Sequence, residues 1–489
     1  MKFYRWFWFQ WLLALVICTL VRLPYFLGNH VSFDGDEAIV GIMAQDLLAG
    51  RNIPVYFYGQ QYGFSFFELL GSAIGILLFG NTVWAIKLGG LLVFSLGVSF
   101  LFRFFLKKGI GFWWALGGML LIAMFPAWMV WAAKARGGYV TAFTAVCLLL
   151  YLCQLKEAGL RWLMLAACIL AVALHAQIFI ALAGCFLWVQ WVLRSKKVSV
   201  VFLACAGVVV FYIVLKIPAF LNEAYWPAPL SLTYNKAAIL PLLKQSWQVA
   251  LGYFYYELTF TPPASSFWLG LLYYLLTLGL IIYGWVKEEW KVRLGMILIF
   301  VGAMVSFFLI MWMRVPTCRY LLGGLTAMLL MFALAYVQVF NFQKKGRLIL
   351  VPGLLLALGF SFSSRHIPDS WMLPKANDMT LYNELVTTLH QRNIHHVFCL
   401  DPLVQWQLNY TGLAARYTSP TERINRYVLG VNGCYSDSTC KTAVVGYTGF
   451  YNGLDTFERT PNQLVLVNDK FFIFEKPDSV QLSTAGFEF

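Results

Sequence analysis

The chain has 489 residues, of which 60% are hydrophobic and only 12% charged, and its mean hydropathy of +0.70 excludes an ordinary soluble globular protein. Several apolar runs reach the ~20 residues that a membrane-crossing helix needs, so the chain reads as an α-helical polytopic membrane protein. The formal net charge of +14 would suggest nucleic acid in a soluble chain. Here the lysines and arginines sit in short clusters between apolar runs, which is the pattern of membrane topology; a lipid bilayer is expected as partner and no nucleic acid.

The start is basic, with Lys2 and Arg5, and the apolar run 7–27 follows. No small-residue cleavage site precedes the next polar stretch, so the run reads as a retained signal anchor with its N-terminus in the cytoplasm. The polar stretch is Ser32-Phe33-Asp34-Gly35-Asp36-Glu37-Ala38. Three carboxylates within four residues, directly after a span, lie where a lipid-borne substrate presents its head group. The same residues also suit a helix start, with Asp36 and Glu37 in the first turn, where the helix dipole favours acids, and Ser32 or Asp34 as cap.

The loop 28–83 is expected outside. Its run 64–79, about 16 residues, is short for a span and carries Glu68. If it crossed, Lys107 and Lys108 would fall outside, against the positive-inside rule; it is therefore read as interfacial or re-entrant. The spans that follow are 84–105, 112–129 and 140–155, then a hairpin over 162–193 turning near His175-Ala176-Gln177, then 198–217, 267–286, 294–312, 321–340 and 348–362. That makes about eleven, by window length. Residues 218–266 read as a long external loop rich in Pro, Tyr and Trp. Residues 1–364 form the transmembrane part and 365–489 a small extracytoplasmic α/β domain, with a helix over 377–389, a helix over 404–410 and strands at 397–400, 442–447, 464–467 and 471–474.

Six of the ten cysteines, at 18, 147, 153, 168, 185 and 205, lie in apolar runs and read as buried thiols. Cys434 and Cys440 lie in the polar tail, where an oxidising compartment favours a disulfide between them. No Cys/His set has zinc spacing, and His390, His395 and His396 read as parts of a helix and strand start.

Four features gather on the outer side if this topology holds: the acids Asp34, Asp36 and Glu37; the stretch 56–63 containing Tyr58 and Gln60, with Glu68 beyond it; Lys134 and Arg136 before Gly137-Gly138-Tyr139; and Arg314, Arg319 and Tyr320. A carboxylate takes a proton from an acceptor hydroxyl or amine, and an arginine fork holds phosphate bidentately. In glycosyl transfer, positive charge builds on the sugar and negative charge on the leaving phosphate, so acids and cations on one face are what preorganisation needs. Arg314 and Arg319 stand on the side where cations are disfavoured and so require a partner. His175 reads as a hydrogen-bonded structural residue.

Asp36-Glu37-Ala38 after a first span, the Tyr-Gly-Gln stretch, Leu78-Phe79-Gly80-Asn81 before the second span, and Arg319-Tyr320-Leu321-Leu322 leading a late span together resemble the GT-C superfamily of membrane glycosyltransferases. The likeness is to members related to protein O-mannosyltransferases and the aminoarabinose transferase of lipid A. The resemblance implies a GT-C-like helical bundle with the small external domain, in a bacterial-type inner membrane. It also implies a sugar donor carried on a polyprenyl monophosphate, a lipid, glycan or protein acceptor, and Asp36 as the catalytic carboxylate with Glu37 beside it. Where relatives often carry an acid after the second-loop arginine, Arg136 is followed by Gly137, which leaves the second acidic role to Asp34 or Glu68. Some relatives use a divalent metal and others none, so the resemblance leaves the metal open. The rival reading is a transporter or flippase of a lipid-linked glycan, whose ionisable groups would lie mid-span.

Overall fold

The computed structural model describes residues 6–28, 31, 33–54, 56, 58, 63–155, 160–193, 207, 234–252, 264–287, 290–313, 318–342, 346–366, 378–417, 441–448 and 463–487. The first expected span is split. Helix α1 (Phe7–Leu20) ends, and a single turn α2 (Leu23–Phe26) follows across Arg22. Then come α3 (Gly35–Leu48), α4 (Phe66–Phe79), α5 (Val83–Lys107) and α6 (Phe112–Ala123). The expected span over 112–129 stops early. Pro126, which has no N–H to continue the ladder, separates α6 from the one-turn helix α7 (Trp128–Trp131). The run expected over 140–155 is the helix α8 (Tyr139–Leu155), and the hairpin expected over 162–193 is present as α9 (Leu160–Ala176) and α10 (Ile178–Leu193), which meet at Gln177.

The segment read as a long loop contains a helix, α11 (Ile239–Ala250), preceded by a 3₁₀ turn at Lys236–Ala238. Leu242, Gln248 and Val249 face inward from it, and Pro241 sits in its first turn, where its missing N–H costs nothing. Then come α12 (Ala264–Lys287), α13 (Trp290–Ile310), a 3₁₀ turn Cys318–Leu321, α14 (Leu322–Phe342) and α15 (Gly346–Ser363). Among the described residues, four helices are long and apolar enough to cross a membrane, at Val83–Lys107, Ala264–Lys287, Val292–Ile310 and Arg319–Phe340. The other apolar helices, including Phe7–Leu20 and Phe112–Ala123, are shorter. Of the expected span 198–217 only Gly207 is among the described residues.

Helix α5 is the hub, packed against α1, α4, α6 and α8. Its contact with α4 is made by glycines: a Cβ on Gly71 would stand 2.6 Å from the Gly89 carbonyl oxygen, and one on Gly75 would stand 2.2 Å from that of Ala85. Small residues let two backbones approach where lipid tails supply no driving force of their own. Against α8, Phe94 stacks on Phe143 at 4.6 Å and Thr144 donates to the Val93 carbonyl at 2.7 Å. By contrast α12 exposes Leu272, Leu275, Leu278 and Ile282, the outward apolar surface of a lipid-facing helix.

The C-terminal portion builds a five-stranded mixed sheet in the order β2-β1-β3-β5-β4. Its strands are β1 (His396–Cys399), β2 (Ala414–Tyr417), β3 (Thr442–Tyr447), β4 (Leu464–Leu466) and β5 (Phe471–Glu475). Strands β2, β1 and β3 are parallel, and β5 and β4 add an antiparallel edge. The expected helices are α16 (Asp378–Gln391) and α17 (Pro402–Tyr410), and α18 (Ser479–Thr484) closes the chain. Strand β2 and helix α18 were not anticipated: β2 has only four residues, one of them the buried Arg416, too short and too polar to show a strand pattern. Replacing Gly71 by Val is expected to lower the stability of the detergent-solubilised protein by about 1–3 kcal/mol, read as an earlier thermal transition.

Candidate active site

Helix α3 begins with a reciprocal cap. Asp34 Oδ1 accepts the Glu37 N–H at 3.0 Å, and Glu37 Oε2 accepts the Asp34 N–H at 3.3 Å, so two orphan donors of the first turn are satisfied. The acids do more than cap. Lys87, from the first turns of α5, donates to both oxygens of Glu37 at 2.8 and 2.9 Å. Lys134 donates to Glu37 Oε2 and to Asp34 Oδ2, both at 3.2 Å. Arg136 reaches Asp34 Oδ2 at 3.0 Å through one nitrogen and Asp36 Oδ2 through the other. Three carboxylates thus interleave with three cations drawn from α5 and the loop before α8. The side chain of Glu37 is wholly buried, that of Asp34 is 11% exposed and that of Asp36 26% exposed, so Asp36 is the most open of the three acids.

Charge sets the protonation of this cluster. Burial alone would push the Asp34 carboxyl up, but the Arg136 guanidinium and then the Lys134 ammonium outweigh it and hold Asp34 below the usual carboxylate range. Burial and the neighbouring Arg319 work against the charge on Arg136; Asp34 and Asp36 overcome both and raise its pKa. Arg319 therefore lies close enough to Arg136 for the two charges to act on each other. It sits in the turn Cys318–Leu321, with its guanidinium 5.4 Å from the Tyr320 ring centroid, and Tyr320 packs on Phe179 at 4.5 Å.

The loop carrying Lys134 and Arg136 is shaped from behind. Gly137 and Gly138 have φ of 57° and 79°, a left-handed path that glycine takes without strain. A Cβ on Gly138 would stand 2.8 Å from the Phe64 carbonyl oxygen. The turn delivers three backbone N–H groups at the start of α8 to Glu68, whose oxygens accept from Gly138, Val140 and Thr141 at 3.1–3.2 Å. Gln177 donates to the Gly137 carbonyl at 2.6 Å, and the Tyr56 hydroxyl meets His175 Nδ1 at 2.8 Å. Both oxygens of Glu68, grouped with the substrate-binding residues in the sequence reading, are thus engaged at the α8 N-terminus. Tyr58, from the same reading, donates to Asp46 Oδ2 at 2.8 Å near the far end of α3, and Arg51 holds the other oxygen at 2.9 Å.

Gln60, Arg314, Cys434 and Cys440 lie outside the described residues. Sequence reasoning missed Lys87, Asp46 and Arg22. The signal for Lys87 was present: a cation in the first turns of an apolar helix needs a partner. Arg22, fully buried, donates to the carbonyls of Cys18, Trp128 and Met129 at 2.9–3.0 Å, which ties the end of α1 to the loop that carries Lys134. Among the described residues no group of three or more His, Cys, Asp or Glu side chains is arranged to hold a metal ion. Asp34 and Asp36, the acids a divalent ion would need, are engaged by Arg136 and Lys134, so this donor set does not fit a resident metal.

No family model matches the chain, and no curated protein matches it in sequence. Solved structures do. ArnT from Cupriavidus metallidurans bound to undecaprenyl phosphate superposes with a TM-score of 0.60 at 13% identity, over 96% of this chain and 98% of that one. The apo state of the same ArnT gives 0.60 and 13%, over 98% and 99%. The chain shares the fold of this ArnT. In this fold the acidic helix α3 follows α1 and the turn α2, and its N-terminus meets the loop before α8.

Two outcomes follow from the ion cluster. Lys87→Met leaves Glu37 buried with one cation fewer and is expected to cost about 3–5 kcal/mol; adding Glu37→Gln recovers part of the loss, read by thermal denaturation in detergent. The ionised Asp34 contributes stability that is fully in place above about pH 4, its unfolded value. That contribution is lost as pH falls through the depressed folded value. Asp34→Asn is therefore expected to flatten the acid limb of stability against pH.

Proposed function

We propose that the chain is an integral membrane glycosyltransferase that moves a sugar from a polyprenyl-monophosphate carrier to a lipid, glycan or protein acceptor at the outer face of a bacterial-type inner membrane. The observation that carries this reading is the position of Asp36. It is the most open of three carboxylates in a charge-balanced cluster, with Arg136 against it and Arg319 beside Arg136. The fold shared with an ArnT bound to undecaprenyl phosphate supports it. In this reading residues 1–364 form the membrane part, the N-terminus is cytoplasmic, and residues 365–489 stand outside as a soluble domain.

Asp36 accepts the proton of the acceptor hydroxyl or amine as that atom bonds to the anomeric carbon. The bond from that carbon to the phosphate oxygen breaks, and the polyprenyl phosphate leaves with the electron pair. Arg136 and Arg319, with Arg314, hold the developing charge on the phosphate. The donor phosphate competes with Asp36 for Arg136, so donor binding loosens the contact that occupies the base. Glu37 and Lys134 orient Asp34 and, through the capped turn, Asp36. Glu68 serves by shaping the turn after Arg136. A transporter is the weaker reading, because the clustered charges gather at helix ends rather than mid-span.

The test uses membranes containing the full chain and a panel of undecaprenyl-phosphate-linked mannose, glucose and aminoarabinose, with released undecaprenyl phosphate as the readout. One of the three is expected to be consumed. Asp36→Asn, at normal abundance, should lower its turnover at least about 100-fold. Retained activity in that variant, or no release from any donor by the parent, overturns the reading.

A further inference from the structure

The C-terminal sheet domain is joined to the acidic helix by more than a covalent linker. Helix α17 packs along α3, and its contacts converge on the residue just before the acidic cap. Phe33, 1% exposed, lies between the rings of Tyr410 at 5.3 Å and Tyr382 at 5.9 Å. The side-chain amide of Gln407 donates to the Phe33 carbonyl, and the Tyr382 hydroxyl donates to the Gln407 carbonyl at 2.8 Å.

One turn further along α17, the Tyr410 ring fills the space left by a missing side chain. A Cβ on Gly41, in the middle of α3, would stand 2.5 Å from the Tyr410 ring edge. That ring cannot swing aside cheaply. Its hydroxyl donates to the carbonyl of Thr82 at 2.9 Å, immediately before α5, and its own carbonyl accepts from Gln45 of α3 at 3.0 Å. Tyr410 therefore links the sheet domain to both α3 and the start of α5, the two helices that contribute Glu37 and Lys87 to the ion pair. Upstream, the Met379 N–H of α16 donates to the Val31 carbonyl at 3.2 Å, so the chain is gripped on the approach to the cap as well.

Asp36 works only if its carboxylate is held at a fixed place relative to Arg136, and it is three residues from Phe33. We propose that Gln407 and Tyr410 are positioning residues for that carboxylate: the sheet domain, through α17, sets where the N-terminus of α3 stands. The domain is thereby part of the reaction machinery rather than a surface for recruiting other proteins. This rests on the glycosyltransferase reading above. It predicts that a small displacement on the α17 side lowers turnover while donor affinity, which depends on the arginines, stays in place.

The experiment uses the full chain and the undecaprenyl-phosphate-linked sugar that the parent consumes. Four variants are compared with Asp36→Asn: Gly41→Ala, which wedges Tyr410 outward; Tyr410→Leu; the two together; and Gln407→Met, which removes the bond to Phe33. Gly41→Ala and Gln407→Met are each expected to lower kcat by at least about tenfold, since misplacement by ~1 Å costs up to ~100-fold, with donor KM changed less than about twofold. Tyr410→Leu is expected to lower kcat likewise, and adding Gly41→Ala to it should cost less than about twofold more, because the smaller Leu accepts the new methyl group; such non-additivity marks direct coupling.

Parental kcat in Gly41→Ala and Gln407→Met, with Asp36→Asn inactive, overturns this inference and leaves the catalytic reading standing. Loss of kcat that follows the fall in melting temperature, with Gly41→Ala costing Tyr410→Leu as much as it costs the parent, also overturns it, since a purely structural role gives that result. Parental activity in Asp36→Asn removes the reading beneath it, and this inference with it.

Discussion

Glu37 is wholly buried between two lysines, and the arrangement of the site depends on that ion pair. A lone carboxylate taken from water costs several kcal/mol, and a buried pair is tolerated only when its geometry and further hydrogen bonds offset that cost. Here Lys87 takes both oxygens, Lys134 bridges to Asp34, and the backbone N–H of Asp34 completes the set. These bonds constrain three chain segments at once: the first turn of α3, the start of α5 and the loop before α8. A network of buried, mutually paired charges favours one arrangement, because each alternative leaves a charge without its partner in a low-dielectric surrounding.

That constraint gives a division of labour among similar side chains. Glu37 and Asp34 face inward and are spent on cations that never leave the protein. Asp36, two residues from Asp34, is the most exposed of the three and meets Arg136, on whose charge Arg319 acts. Around a helix, neighbouring positions point about 100° apart, so a run of three acids at its start necessarily divides into structural and accessible members. Glu68 shows the same economy of role: an acid in an apolar helix finds its partners in the amide groups of a glycine turn, and by shaping that turn it sets the direction of Arg136.

The surroundings hold the site from three sides. Arg22 fixes the loop before α8 to the end of α1. The glycine contact of α4 with α5 keeps Glu68 beside the start of α8. Helix α17 closes the third side by packing Tyr410 on Gly41. Each fixture uses backbone carbonyls or missing side chains rather than surface ion pairs, which are weak and screened in water.

Local chemistry was enough to read the membrane class from the apolar runs, the hairpin turn near His175-Ala176-Gln177, the acidic helix start with Ser32 or Asp34 as cap, of which the fold uses Asp34, and most of the C-terminal strands. Helix length, capping residues and alternation are properties of a few neighbouring residues, so they are written in the chain itself. Spatial partnership is not. Lys87 stands 50 residues from Glu37, Glu68 some 70 from the amides it holds, and Gln407 374 from the Phe33 carbonyl. Nothing in their flanking sequence names those partners, because a buried charge or carbonyl states only that it must be satisfied, and which group satisfies it is decided when the helices pack.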